Sequence, residues 1–417
     1  MLTAISNAFR VPELRRKIIF TLAMIALYRL GAFIPVPGID PAKVLALINQ
    51  NAALGLLGLF SGGALEKLAV FSLGIMPYIT SSIIMQLLQG VIPKVEQWAK
   101  EGESGQRKIT QITRYMTLGI ALLESIGLLA TFRAAMSTNI KMPLAFTQLV
   151  IVVTLIAGTA FIMWMGELIT QHGIGNGMSL LIFASIVSRF PLAIAQSITF
   201  GNGILTGLLL LVVLFIIAAI VTMERAQRRI PVQYAKRVVG RRVYGGSGTY
   251  IPLKINGANV VPIIFASAIL FFPSQIAAVT NIPWLIQVGT ALQRGPINWV
   301  AEFGLIVFFT YFYTALVFNP IDLSDNLRKN GGFIPGVRPG SATTRYIENV
   351  LNRITLPGAL FLGVIAVAPA MLFYSTNNPL IQSFGGTSIL IMVGVALETM
   401  TQLESQLKMR HYEGFFK

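Results

Sequence analysis

Cysteine is absent from this 417-residue sequence, and histidine occurs only at His172 and His411. Disulfide frameworks and Cys/His zinc sites are thereby excluded. Acidic residues are scarce as well: 16 Asp and Glu face 32 Lys and Arg, a net charge of +16. Charged residues make up only 12% of the chain, about half of what soluble globular domains carry. Hydrophobic residues make up 54% and include 26 Phe, which excludes a disordered basic tail. No GxxxxGK(S/T) phosphate loop, HExxH or GxSxG pattern occurs. His172 stands alone in a Gly-rich turn, and Asp40, Asp322 and Asp325 all fall between apolar runs, which argues against aspartyl chemistry. No catalytic residue, metal site or cofactor is expected.

What remains is a membrane pattern. A hydrocarbon core about 30 Å thick takes roughly 20 apolar residues in a helix. Ten runs meet that need: Ile18–Phe33, Leu68–Ile92, Met116–Phe132, Phe146–Met165, Met178–Ile198, Ile204–Met223, Val260–Ile282, Trp299–Phe318, Ile354–Tyr374 and Ser388–Thr401. The first leads into Ile34-Pro35-Val36-Pro37-Gly38 rather than a small-residue cleavage site, so a mature helix is expected there. With the N-terminus inside, the inner segments hold 25 Lys and Arg and the outer ones 6. That asymmetry orients both termini to the cytosol.

The second and seventh runs share Pro, Ile, Ser and Ile at an offset of 185 residues, Pro77 through Ile84 against Pro262 through Ile269. These runs have opposite directions, as an inverted five-plus-five repeat requires, and such repeats place a functional path at their interface. The expected halves are residues 1–203 and 204–417. Proline in two facing helices is expected to loosen a moving seam, although prolines are common in membrane helices generally. Between the first two runs, Asn51 to Lys67 is apolar, Gly-rich and too short to cross. It reads as a re-entrant stopper buried in protein, or as an external interfacial helix.

Apart from Arg189, which is counted with the outer segments, the ionisable groups within runs are Arg29, Glu124, Glu302 and Glu398, scattered and mostly near run ends. Snorkelling or structural pairing accounts for them better than ion coupling. Two inner segments, about 224–257 and 319–353, are long and basic. Anionic headgroups would attract them. The interleaving of Tyr234 and Tyr244 with arginines, and the prolines flanking Arg338, also suit structured protrusions that meet a large anionic partner.

At this point the chain resembles the SecY family, which forms the channel of the Sec protein-translocation machinery. The resemblance is carried by Ile34–Ile39, Phe60–Ala64, Gly74–Ile79, Glu101–Gly105, Gly173–Gly177, Gln227–Arg229, Tyr234–Arg237, Gly240–Tyr244, Tyr313–Pro320 and Phe384–Ser388, in family order along nearly the whole chain. It implies an all-α integral membrane protein, ten helices in two inverted five-helix halves forming an hourglass channel. Such a channel passes unfolded secretory chains across the membrane and releases hydrophobic segments sideways. Matched block by block, the constriction ring comprises Ile75, Ile79, Met178, Ile182, Ile264 and Ile391, with Met178 standing where the family often has Ile. The plug lies within about 56–68, centred on Phe60, Ser61, Gly62, Gly63 and Ala64. The lateral gate involves Pro77, Ser82, Pro262 and Ser267, and Arg241, Arg242 and Arg338 fall in blocks that receive the motor or ribosome. Implied partners are SecE, SecG, the SecA ATPase, the ribosome, signal sequences and anionic lipids, in a bacterial plasma membrane or an organelle membrane of bacterial descent. A small-solute secondary transporter shares the inverted repeat and is the competing reading; a structural scaffold leaves the stopper unexplained.

Overall fold

The computed structural model describes residues 8–50, 61–132, 135–136, 143–200, 203–234, 237–239, 242–244, 249–280, 282–292, 295–372 and 385–413. Among them the chain forms α1 (Pro12–Gly31), α2 (Pro41–Gln50), α3 (Met76–Val91), α4 (Pro93–Lys100), α5 (Glu103–Thr131), α6 (Leu144–His172), α7 (Gly177–Val187), α8 (Phe190–Phe200) and α9 (Gly203–Arg225). Strands β1 (Gln227–Tyr234), β2 (Arg237–Val239), β3 (Arg242–Tyr244) and β4 (Thr249–Lys254) follow. The remainder is α10 (Val261–Thr280), α11 (Pro283–Ala291), α12 (Pro296–Val317), α13 (Pro320–Lys329), β5 (Gly332–Phe333), α14 (Ser341–Leu372) and α15 (Gly386–Glu413).

Seven stretches of the described residues are helical, long and apolar enough to cross a membrane: those built on α5, α6, α7 with α8, α9, α12, α14 and α15. The shorter or more charged α1, α3 and α10 complete the ten expected runs. Several crossings extend beyond their apolar runs. The third run begins at Met116, yet α5 starts at Glu103 and carries its basic first turns out of the hydrocarbon. The ninth begins at Ile354, yet α14 starts at Ser341.

The second run departs from expectation. Residues from Leu68 to Ile75 are turns rather than helix, and α3 begins only at Met76. Consequently Pro77 sits in the first turn of α3 and Pro262 is the second residue of α10. The two prolines therefore start their helices and do not loosen them. At that position the missing N–H has no intrahelical partner to lose, and the fixed φ favours the helix.

The long basic segments are folded. β1 pairs antiparallel with β4, from Gln227 opposite Lys254 to Val232 opposite Thr249, and continues against β5 through Gln233–Phe333 and Tyr234–Gly332. The order β4-β1-β5 thus joins the 224–257 and 319–353 segments into one sheet. Ile230, Val232, Leu253, Leu327, Ile334 and Ile347 form its own small core. Tyr234, expected on a protruding surface, packs against that core. β2 and β3 form a separate two-stranded hairpin farther along the segment.

Candidate functional site

Four helices contribute to one apolar cluster, and each carries a predicted ring residue in or near its first turns. Ile75 is the N-cap of α3 and Ile79 lies one turn on. Met178 and Ile182 open α7, Ile264 lies in the first turn of α10, and Ile391 in the second turn of α15. Ile75, Ile79, Met178, Ile182 and Ile391 are all buried in one continuous apolar cluster, and the half-buried Ile264 packs against it.

The start of α7 shows how local sequence fixes this position. Asn176 Oδ1 accepts hydrogen bonds from the Met178 and Ser179 amides at 3.1 and 3.3 Å, capping two otherwise orphaned donors. Gly177 lies so close to the Gly166 carbonyl of α6 that any Cβ would overlap it, and Gly166 in turn leaves room for the Met178 side chain. Met178, Ile182, Ser185 and Arg189 then recur at i, i+4, i+7 and i+11, one face continued onto the turn after α7.

That face leads from the ring to the described part of the predicted plug. Gly62, with φ +61°, lies against the Ser185 backbone; a Cβ there would come within 3.0 Å of the Ser185 Cα. Arg29 of α1 donates to the Gly62 carbonyl at 2.9 Å. Arg189 forms an ion pair with Glu66 in the short 3-10 turn Leu65–Lys67. Tyr28, fully buried, shares a 2.6 Å hydrogen bond with Ser185 and stacks on Phe71 with ring centroids 5.7 Å apart. The chain that follows the predicted plug pairs with the Ile34–Val36 motif: the Val36 amide donates to Leu68 O and the Val70 amide to Ile34 O, both at 2.9 Å. Ser61, Ala64, Leu65 and Leu68 are buried, so the described segment is packed inside protein. Gly63 also faces Arg189 and Glu66. Phe60 lies outside the described residues.

Sequence reasoning read Arg29 as a snorkelling or structurally paired group and counted Arg189 among the outer charges, without connecting either to the plug segment, and so missed this set of contacts. The spacing of Arg189 from Met178 on one helical face was the available signal.

At the predicted gate, α10 packs against both α3 and α5 and also against α12. Pro77 and Pro262 are buried, and Ser82 and Ser267 half-buried. The Ser267 hydroxyl donates to Ile263 O at 2.9 Å and Ser81 to Pro77 O at 2.7 Å, so neither is left unsatisfied along the seam. Nearby, Arg114 of α5 makes a bidentate contact with Glu167 of α6 at 2.7 and 2.6 Å, which ties those helices together.

Arg338 is exposed in the turn between β5 and α14. That turn is braced by Thr343 donating to Arg338 O at 2.9 Å and Ser324 to Gly340 O at 3.0 Å. Arg241 lies outside the described residues; Arg242 lies in β3, with its side chain likewise outside them. Glu124 is buried with one carboxylate oxygen unpartnered among the described residues. Among those residues no group of three or more His, Asp or Glu could hold a metal ion.

Comparison with known proteins gives this architecture a family. The SecY family model matches residues 69–400. The protein translocase subunit SecY of Streptomyces galbus is 49% identical, and that of Mycobacterium bovis 47%, each over the whole of both chains. Among solved structures, a protein-conducting channel superimposes with a TM-score of 0.63 at 16% identity over 96% of each chain. A Sec61 channel in a canine ribosome–channel complex superimposes with a TM-score of 0.59 at 15% identity over 96% of each. These two share the fold. Nothing in the comparisons supports a small-solute transporter. With a family model covering most of its length and full-length relatives at nearly half identity, the chain belongs to the SecY family.

Proposed function

We propose that the chain is the central protein-conducting channel of a bacterial Sec translocon, passing unfolded secretory polypeptides across the membrane and releasing hydrophobic segments laterally into it. The observation that carries the reading is the convergence of α3, α7, α10 and α15 on one apolar cluster, with a glycine-containing segment seated against α7. Ile75, Ile79, Met178, Ile182, Ile264 and Ile391 form the ring. Aliphatic side chains offer a passing polypeptide no hydrogen bonds to stick to, and a dry constriction is costly for hydrated ions. Phe60 to Ala64 belong to the plug within about 56–68. Its release breaks the Arg29–Gly62 and Arg189–Glu66 contacts and withdraws the buried Leu65 and Leu68 from their apolar cluster.

The lateral gate opens where α10 leaves α3 and α5, around Pro77, Ser82, Pro262 and Ser267. A signal sequence, itself an apolar helix, packs into that seam and draws the population toward the open form. Residues 1–203 and 204–417 are the two inverted halves, and the basic end with both termini faces the cytosol. There the sheet joining the two basic segments, with Arg241, Arg242 and Arg338, receives the SecA motor or the ribosome. SecE and SecG are the membrane partners, and anionic headgroups meet the basic face. The chain itself carries out no covalent chemistry; motor or ribosome supplies the work.

The test is reconstitution with the companion membrane subunits and the motor in sealed vesicles. A secretory precursor should become protease-protected, and substitution of Arg338 by Glu should abolish protection while the chain still inserts. A precursor that stays fully accessible with every component present contradicts the reading.

A further inference from the structure

Arg29 is a charge without a countercharge. It is half-buried in the last turn of α1, and the titratable groups that act on it are Tyr28 and the like-charged Arg189, with no carboxylate among them. The C-terminus of α1 and the Gly62 carbonyl, 2.9 Å from the guanidinium, supply only partial negative charge. Phe33 adds a ring face, with Arg29 Cζ 5.4 Å and Lys67 Nζ 4.1 Å from its centroid. Among the described residues, Arg29, Lys67 and Arg189 thus have one ion-pair carboxylate between them, Glu66.

The acceptors that the two guanidiniums do have come from one short stretch. Gly62 O takes Arg29 and Glu66 takes Arg189, and a Cβ on Gly63 between them would stand 3.8 Å from the Arg189 guanidinium. Glu66 is the more accessible member of its pair, its side chain 37% exposed against 15% for Arg189. When residues 62–66 move away, both donors lose their partners in one event, while α1 and the turn after α7 keep the donors in place. Arg189 continues the face of α7 that carries Met178 and Ile182, about 10 Å past Ile182 along the axis. Two half-buried guanidiniums then border the route beyond the ring. Their planar forks take a carboxylate more strongly than a backbone carbonyl or a neutral side chain.

We infer that Arg29 and Arg189 form a carboxylate-binding site on the outer side of the ring, held by residues 62–66 in the resting channel and by an aspartate or glutamate of the passenger once that stretch has moved; the inference rests on the channel reading above. Glu66 is the resting stand-in for the passenger's own acid. An acidic residue lodged there resists sliding back through the ring. It also keeps Glu66 from returning to Arg189, and so delays closure. With the plug away the site is open to water, so the hold is weak and retards a passenger without trapping it.

Backsliding of a stalled secretory polypeptide tests this, with the full chain and its companion subunits in sealed vesicles. The membrane potential is held at zero, so that charge on the passenger feels no transmembrane field. Three passengers differ only in a segment placed just beyond the ring, which carries Asp, Asn or Lys. The Asp passenger should slide back about threefold more slowly than the Asn passenger, the Lys passenger no more slowly than Asn, and salt at about 1 M should erase the difference. The difference should vanish in Arg29→Gln and in Arg189→Gln and survive in part in Arg29→Lys. It should stay intact in Lys43→Gln, which removes an exposed cation from another outer segment. Passengers are compared within each variant, so a plug weakened by the substitution affects all three alike. Equal rates for Asp and Asn in the unaltered chain overturn the site and leave the channel standing. A difference that persists in both Gln variants, or falls equally with Lys43→Gln, marks a diffuse outer field and also overturns the site. A passenger that cannot be cross-linked to position 79 before backsliding begins overturns the channel reading, and the inference with it.

Discussion

Helices α7 and α15 both carry residues of the proposed ring and pack against each other, the start of α7 lying beside Thr399 of α15, yet the stretches that follow their ring residues differ in chemistry. Beyond the ring, α7 leads to Ser185 and Arg189, each already engaged: Ser185 with Tyr28 and against Gly62, Arg189 with Glu66. Beyond the ring, α15 presents Glu398, Gln402 and Gln406, none with a hydrogen-bond partner among the described residues. One side is closed by directional contacts within the chain, and the other is left open. On the proposed reading such an asymmetry serves a channel, since a seal must be specific while the approach must accept any sequence.

The largest effect expected is at the ring both helices share. Ile79→Asn with Ile264→Asn gives water and ions polar partners in the constriction, and the resting ion leak of reconstituted vesicles should rise at least about tenfold. An unchanged leak removes these residues from the seal. Next is Gly62→Leu, which places a side chain at φ +61° against the Ser185 backbone. The plug then cannot seat, and the leak should increase with the ring intact; a tight channel would show that Gly62 does not rest on α7. Glu66→Gln is milder. A partly exposed ion pair contributes about 1 kcal/mol, so losing it should raise the open fraction about fivefold, read as single-channel opening frequency at low salt. The same change at 1 M salt should matter less, because screening already weakens the pair. The smallest is Tyr28→Phe, which keeps the stack on Phe71 and removes one buried hydrogen bond. It should cost about 1 kcal/mol and lower the melting temperature by about 1 °C, with the leak unchanged.

The comparison also explains what could be read in advance. The crossings announce themselves through apolar composition, and the ring residues were assigned only through the family resemblance, by blocks such as Gly173–Gly177, whose Asn cap and close glycine fix the start of α7. The first turns of α3 and α10 were harder. Pro77 and Pro262 were legible as a symmetric pair, but whether a proline starts a helix or interrupts one depends on where the preceding chain leaves the bilayer core. The turns from Leu68 to Ile75 are held by pairing with Ile34–Val36, a contact between segments more than 30 residues apart that no local pattern encodes. The contacts around the proposed plug were hidden for the same reason: Arg29, Glu66 and Arg189 come from three separate stretches, and each alone looks like an ordinary charge near a membrane surface. The fusion of two basic segments into one sheet likewise depends on β5, two residues long and too short to register as a strand.

The most direct measurement follows a stalled secretory polypeptide by photo-cross-linking from Ile79, Met178 and Ile264, with the outward-facing Phe215 and Val300, 73% and 74% exposed, as controls. Strong labelling of the passenger from all three central positions and none from the two outer ones is the result required. Labelling from Phe215 or Val300 with none from the centre would mean that the passenger crosses elsewhere, and that the collar is only a packed core.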